Sequence, residues 1–128
     1  VTDLSWCDDI SGYRFRTNRR KELVTSIKGY SAKTEYIQLW DDGRLILEKD
    51  YCWNGASGIS IDTPSTRRGS AGHDALYQLI DLGVIPQDMR IAADRDLRRW
   101  CIEDGMPSFR ADLWYTAVRA FGGAYVNG

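Results

Sequence analysis

The sequence predicts an α+β fold in a single domain over residues 1–128: a small N-terminal antiparallel sheet, a glycine loop, then three helices. Three observations carry that prediction. Short runs alternate between apolar and polar residues up to Tyr51, glycines and small residues interrupt the alternation from Cys52 to Gly58, and beyond Thr63 apolar positions recur at helical spacing between proline starts and glycine stops. The division is 1–51 mainly β, 52–62 glycine loop and 63–123 helical. A chain of 128 residues with 43% hydrophobic content is enough for one domain with a core and too short for two.

Tyr36-Ile37-Gln38-Leu39-Trp40 and Arg44-Leu45-Ile46-Leu47-Glu48 alternate with period two on either side of Asp41-Asp42-Gly43. An acidic turn with glycine between two such runs is a hairpin signal. A weaker strand is expected over Leu23 to Ile27. The segment from Cys52 to Gly58 reads as too irregular for strand or helix, a loop whose backbone can approach something closely. Thr63-Pro64 offers a helix start and Gly83 a stop, around a helix running roughly from Ser65 or later to Leu82. A second helix is expected after Pro86, from about Gln87 to Asp104, ended by Gly105. A third begins behind Ser108, carries Phe109, Leu113, Ala117 and Phe121 at helical spacing, and stops at Gly122-Gly123.

Composition excludes several functions. Lys+Arg number 17 against 18 Asp+Glu, so no bulk charge suits a nucleic-acid backbone, and no nucleic-acid partner is expected. The basic residues between Arg14 and Lys28 are interrupted and read as a solvated sheet face. The longest aliphatic run, Leu45-Ile46-Leu47, falls far short of the ~18 residues a membrane helix needs, and no signal-peptide segment is evident at the N-terminus. Cys7, Cys52 and Cys101 are widely spaced and odd in number, which argues for free thiols rather than a disulfide framework or a four-cysteine zinc site. His73 is the single histidine, so no H-E-x-x-H zinc site can be built.

His73 shares a helical quadrant with Leu76, Tyr77 and Ile80, and with Gly69 and Ser70 one turn earlier, so it is expected to face the interior. On the second helix Asp94 shares a stripe with Leu97 and Cys101, whereas Asp96 falls on the far side and is expected in solvent. Two antiparallel helices would let the inward His73 and Asp94 meet. An aspartate bonded to one ring nitrogen orients the imidazole and supports the positive charge formed when the other nitrogen takes a proton, so His73 could act as a general base for water. Asp74 could offer an oxygen to a hard cation whose other ligands are loop carbonyls. Each residue also has a plainer role: His73 as a satisfied core group, Asp94 as a packing hydrogen bond, the glycine segment as a turn, and Asp74 as a solvated partner of the helix dipole. Ser57 lacks the second glycine of a G-x-S-x-G nucleophile motif, since Ile59 stands there.

His73-Asp74-Ala75-Leu76-Tyr77, preceded by a glycine loop and followed by Ala93-Asp94, resembles the motif of the secreted and parvovirus-capsid phospholipases A2. The resemblance implies that His73 activates water, that Asp94 orients it with Tyr77 in support, and that Asp74 binds calcium together with carbonyls of Trp53, Gly55 and Ser57, an N–H near Gly55 serving the oxyanion. Trp53-Asn54-Gly55-Ala56-Ser57-Gly58, the His73–Tyr77 motif, Ala92-Ala93-Asp94 and Val118-Arg119-Ala120-Phe121-Gly122 also resemble a family of unknown function in tailed phages and prophages. Together they imply a phage-encoded, calcium-dependent ester hydrolase acting on phospholipid or another acyl ester, in the host cytoplasm or the virion. The alternative is a noncatalytic virion component or host-directed binding module that keeps the fold and has a virion or host protein as partner.

Overall fold

Ile37 and Leu39, both inward on one strand, lie opposite Leu47 and Leu45 on the next, so one slip in register would turn every one of them out of the core. The structure, a computed structural model, describes residues 7–9, 15–53 and 64–122. Its strands are β1 (Cys7–Asp9), β2 (Phe15–Thr17), β3 (Lys21–Val24), β4 (Ala32–Lys33), β5 (Ile37–Leu39), β6 (Arg44–Leu47) and β7 (Cys52–Trp53). They form two antiparallel sheets, ordered β1-β2-β7 and β3-β6-β5-β4. The β5–β6 hairpin falls where the alternation placed it. Its turn needs glycine at 43 for two reasons. The backbone there has φ +99°, and a Cβ would stand 2.8 Å from the Thr25 carbonyl oxygen.

The strand expected over Leu23 to Ile27 ends early, at Val24. The Thr25 N–H still bonds the Gly43 carbonyl at 2.9 Å, but its hydroxyl accepts from the Ile27 N–H at 3.1 Å and donates to the same carbonyl at 2.8 Å, a side-chain arrangement that turns the chain off the ladder. Ile27 stays buried all the same. Cys52 and Trp53 correct the expectation of an irregular segment: they form β7, with Phe15 opposite Trp53 and Arg16 opposite Cys52. What decides this is burial of the indole, which sits against Phe15 and Tyr51 and donates to Ser70 Oγ at 2.9 Å.

Three helices follow: α1 (Pro64–Asp81), α2 (Arg90–Glu103), entered through a 3₁₀ turn at Gln87–Met89, and α3 (Ser108–Phe121). Gly83 and Gly105 end the first two, at φ +79° and +102°. Contacts rise along α1 as they fall along α2, from Arg68 with Asp104 to His73 with Asp94 and Tyr77 with Arg90. The pair is antiparallel. Small residues bring the two axes close: a Cβ on Gly69 would meet Leu97 and Cys101 at 3.2 Å, and one on Gly72 would meet the Trp100 ring at 2.7 Å. The other side of α1 packs on the sheets, in a core that includes Leu23, Leu39, Leu45, Leu47, Trp53, Leu76 and Leu79. A second cluster, built on Leu97, Cys101, Met106, Ala111, Trp114 and Val118, joins α2 to α3.

The buried stripe of α3 departs from expectation. Ala111, Trp114 and Val118 face inward, while Phe109, Leu113 and Phe121 are each about two-thirds exposed, at 70%, 65% and 67%. Two apolar stripes compete on this helix. Packing of Trp114 and Val118 on Leu97 and Cys101 of α2, and the ion pair of Arg119 with the buried Asp94, select this rotation. Ser108 also opens the helix as its first residue, with Pro107 rather than Ser108 at the cap position. No helix among the described residues is long and apolar enough to cross a membrane.

Candidate functional site

The antiparallel α1–α2 pair brings His73 and Asp94 together: His73 Nε2 lies 2.6 Å from Asp94 Oδ1, with both side chains at 0% exposure. A carboxylate can only accept, so Nε2 carries the proton and the lone pair of the neutral ring sits on Nδ1. Tyr77, one turn further along α1, donates its hydroxyl to the same Oδ1 at 2.5 Å, and its ring lies against the imidazole with centroids 4.1 Å apart. Gly69, Gly72 and His73 share the face that lets α2 approach this closely.

The other oxygen of Asp94 belongs to α3. Arg119 Nη1 donates to Oδ2 at 2.8 Å. Arg90, at the start of α2, donates to the Tyr77 hydroxyl and the Val118 carbonyl at 3.2 Å each and to the Arg119 carbonyl at 3.3 Å, with its Nη1 3.8 Å from Oδ2. Three helices therefore meet on one buried carboxylate. The sequence assigns neither arginine a role, and Arg119 stands there only within the Val118–Gly122 motif. The available signal was the helical position of Arg119, on the half of α3 turned toward Ala111 and Val118, where a cation needs an anion to face.

Electrostatics follow from this packing. Burial lowers the His73 pKa below its ordinary value, and the bond and charge of Asp94 oppose that without cancelling it, so the ring is neutral. For Asp94 burial alone would raise the pKa, but the bonds from His73, Tyr77 and Arg119 outweigh it and hold the carboxyl below its usual range. Tyr77 is pushed well up, first by burial and then by its bond to Asp94, so it remains a donor. Burial also pushes the Cys101 thiol up to about 12, which removes it as a thiolate nucleophile at neutral pH.

Other expected site residues fare differently. Asp74 is half-buried beside His73 on α1. Trp53 is buried, its side chain committed to the strand and to Ser70. Gly55 and Ser57 lie outside the described residues, as does most of the glycine loop. Asp96 overturns its expectation: it is 1% exposed, its Oδ2 accepts from the Ser26 backbone N–H at 2.9 Å, and Arg99 pairs with its Oδ1 at 3.3 Å. The chain just after β3 packs on the side of α2 away from Leu97, so that side is not solvent. Among the described residues no three His, Cys, Asp or Glu side chains gather as a metal cluster. No protein-family model, curated protein or solved structure matches this chain.

Proposed function

We propose that the His73–Asp94–Tyr77 centre is the water-activating site of an ester hydrolase of the phospholipase A2 type, encoded by a phage or prophage. The single observation that supports this most is the use of Nε2 for Asp94, which directs the basic lone pair of His73 to Nδ1. In this reading Nδ1 takes a proton from water as the water oxygen attacks an acyl carbon, and Asp94 stabilises the imidazolium that forms. The proton then leaves with the alcohol. Tyr77 and Arg119 hold Asp94 in place and ionised, so that the ring keeps one tautomer and one orientation.

Calcium belongs to this proposal, with Asp74 as its carboxylate ligand, carbonyls of Trp53, Gly55 and Ser57 completing the set, and an N–H near Gly55 for the oxyanion. Of that set only Asp74 and Trp53 are among the described residues, and the two do not by themselves make a calcium site. When bound, the ion would supply charge stabilisation for the oxyanion. The substrate class is phospholipid or another acyl ester, and the setting the host cytoplasm or the virion.

A second reading is favoured by the complete enclosure of His73 and Asp94. The centre is then a packing network joining three helices in a noncatalytic virion component or host-directed binding module. Release of fatty acid by the wild-type chain and by His73→Gln separates the two.

A further inference from the structure

Away from the His73 centre, the β5–β6 hairpin holds an indole in a fixed pose. Asp42 accepts from the Arg44 backbone N–H at 3.1 Å and pairs with Arg44 Nε at 2.9 Å. That fork lays the guanidinium 3.8 Å from the centre of the Trp40 ring, and Trp40 nevertheless stays 37% exposed. Period two along β5 puts Trp40 and Gln38 on the outward face of the sheet. Lys33 on β4 is the cross-strand partner of Gln38, and Ser31 lies two residues before Lys33 on the same side. These four side chains and Asp41 line a groove of about 460 Å³ to which Arg44 does not contribute. Arg44 reaches the indole from β6, on one side of β5, and the groove lies toward β4, on the other.

Lys33 and Asp41 cancel in charge, and Arg44 is already paired with Asp42. A polyanion therefore finds no net attraction here. What the groove does offer is a flat aromatic wall ringed by an ammonium, an amide, a carboxylate and a hydroxyl, none of them bonded to another described side chain. A ligand matched to it has a flat C–H face for the ring and an edge of groups that both donate and accept. Pyranose sugars have that chemistry. We propose that this groove is a carbohydrate-binding site for a chain of pyranose units, with Trp40 as stacking platform and Lys33, Gln38 and Asp41 as hydroxyl partners. The inference is independent of any hydrolase activity at His73.

The test uses the full chain, ¹⁵N-labelled, titrated with soluble tetrasaccharides of glucose and of N-acetylglucosamine, together with a glycan array. At least one glycan is expected to shift the Trp40 indole N–H and the Lys33 and Gln38 amides, with Trp40→Ala weakening binding ~10-fold or more, as loss of a ring-stacking platform does. Should Trp40→Ala fail to fold, judged by its amide spectrum, the Gln38→Ala/Asp41→Asn double variant is expected to weaken binding from the polar side. The proposal is overturned if no glycan shifts these resonances, if the folded variant binds as wild type, or if only a single-stranded oligonucleotide or an extended peptide shifts them.

Discussion

Arg119 reaches from α3 to donate to Asp94 Oδ2 at 2.8 Å, on the carboxylate oxygen opposite the one shared by His73 and Tyr77. Arg119 is a third exposed while Asp94 is fully enclosed, so water can replace only part of what the guanidinium supplies. Arg119→Met is expected to destabilise the fold by ~1 to 3 kcal/mol, the cost of leaving a buried acceptor short of its charged partner. Urea unfolding checks it. A midpoint equal to that of wild type would mean that Asp94 does not depend on α3.

His73 gives stability a pH dependence with a definite sign. Its folded-state pKa lies below the ordinary 6.5, so the unfolded chain takes up a proton that the folded chain refuses. Stability is then full above about pH 6.5 and falls as pH drops below it, by up to ~1.4 kcal/mol per unit from this one group. Asp94 acts in a lower window. Its carboxyl is lowered from 3.8, so its contribution is present above that value and is lost as pH falls through the folded pKa. Because His73 is the only histidine, its ring protons are a single NMR reporter, expected to titrate with a midpoint below 6.5 in the folded protein. A full protonation shift centred near 6.5, or an unfolding free energy flat from pH 7.5 to 5.5, would contradict this.

Asp96 anchors the chain after β3 to α2 through the Ser26 amide. Asp96→Ala is expected to cost ~1 to 3 kcal/mol, since it removes a charge-assisted bond from the Ser26 N–H to a buried carboxylate and takes away the partner of Arg99. Asp112→Ala, which removes an exposed partner of Arg98, is expected to cost less than ~1 kcal/mol. Thermal or chemical unfolding of the two variants side by side reads the difference, and equal losses would show that the Ser26 contact carries no special weight.

Which of these features could be read from the sequence depended on how far apart the interacting residues lie and whether one pattern or two competed. The β5–β6 hairpin was legible because alternation and the turn glycine at 43 are both local. His73 and Asp94 were legible because each lies on the inward face of its helix and the short turn after Gly83 makes the helices antiparallel. Asp96 was not. Its acceptor role answers a backbone N–H at Ser26, far away in the chain, and a helical wheel knows only the helix it is drawn on. The rotation of α3 was ambiguous for a different reason: Phe109, Leu113 and Phe121 make as good an apolar stripe as Ala111, Trp114 and Val118, and contacts to α2 choose between them. Cys52 and Trp53 looked like loop because the strand is two residues long and its reason, a pocket for the indole, is tertiary.

Calcium is expected to raise the melting temperature of the wild-type chain at millimolar concentration, because a ligand bound only by the folded state stabilises it by mass action. Asp74→Asn should remove that rise while leaving the fold intact. Differential scanning fluorimetry with and without a chelator reads both. An equal shift in the two proteins would place any calcium elsewhere, and no shift in wild type would remove the ion from the proposal.

Hydrolysis of phospholipid tests the role of His73 most directly. Wild-type protein with calcium, offered zwitterionic and anionic vesicles and mixed micelles, is expected to release fatty acid. His73→Gln should lose that release by ~10²-fold or more, the scale of removing a general base, and Asp94→Asn by less because it only misorients the ring. Release that survives His73→Gln would contradict the base role assigned to His73. No release from wild type on any of these lipids, with His73→Gln merely less stable, would leave the His73–Asp94 pair as the packing network of a noncatalytic protein.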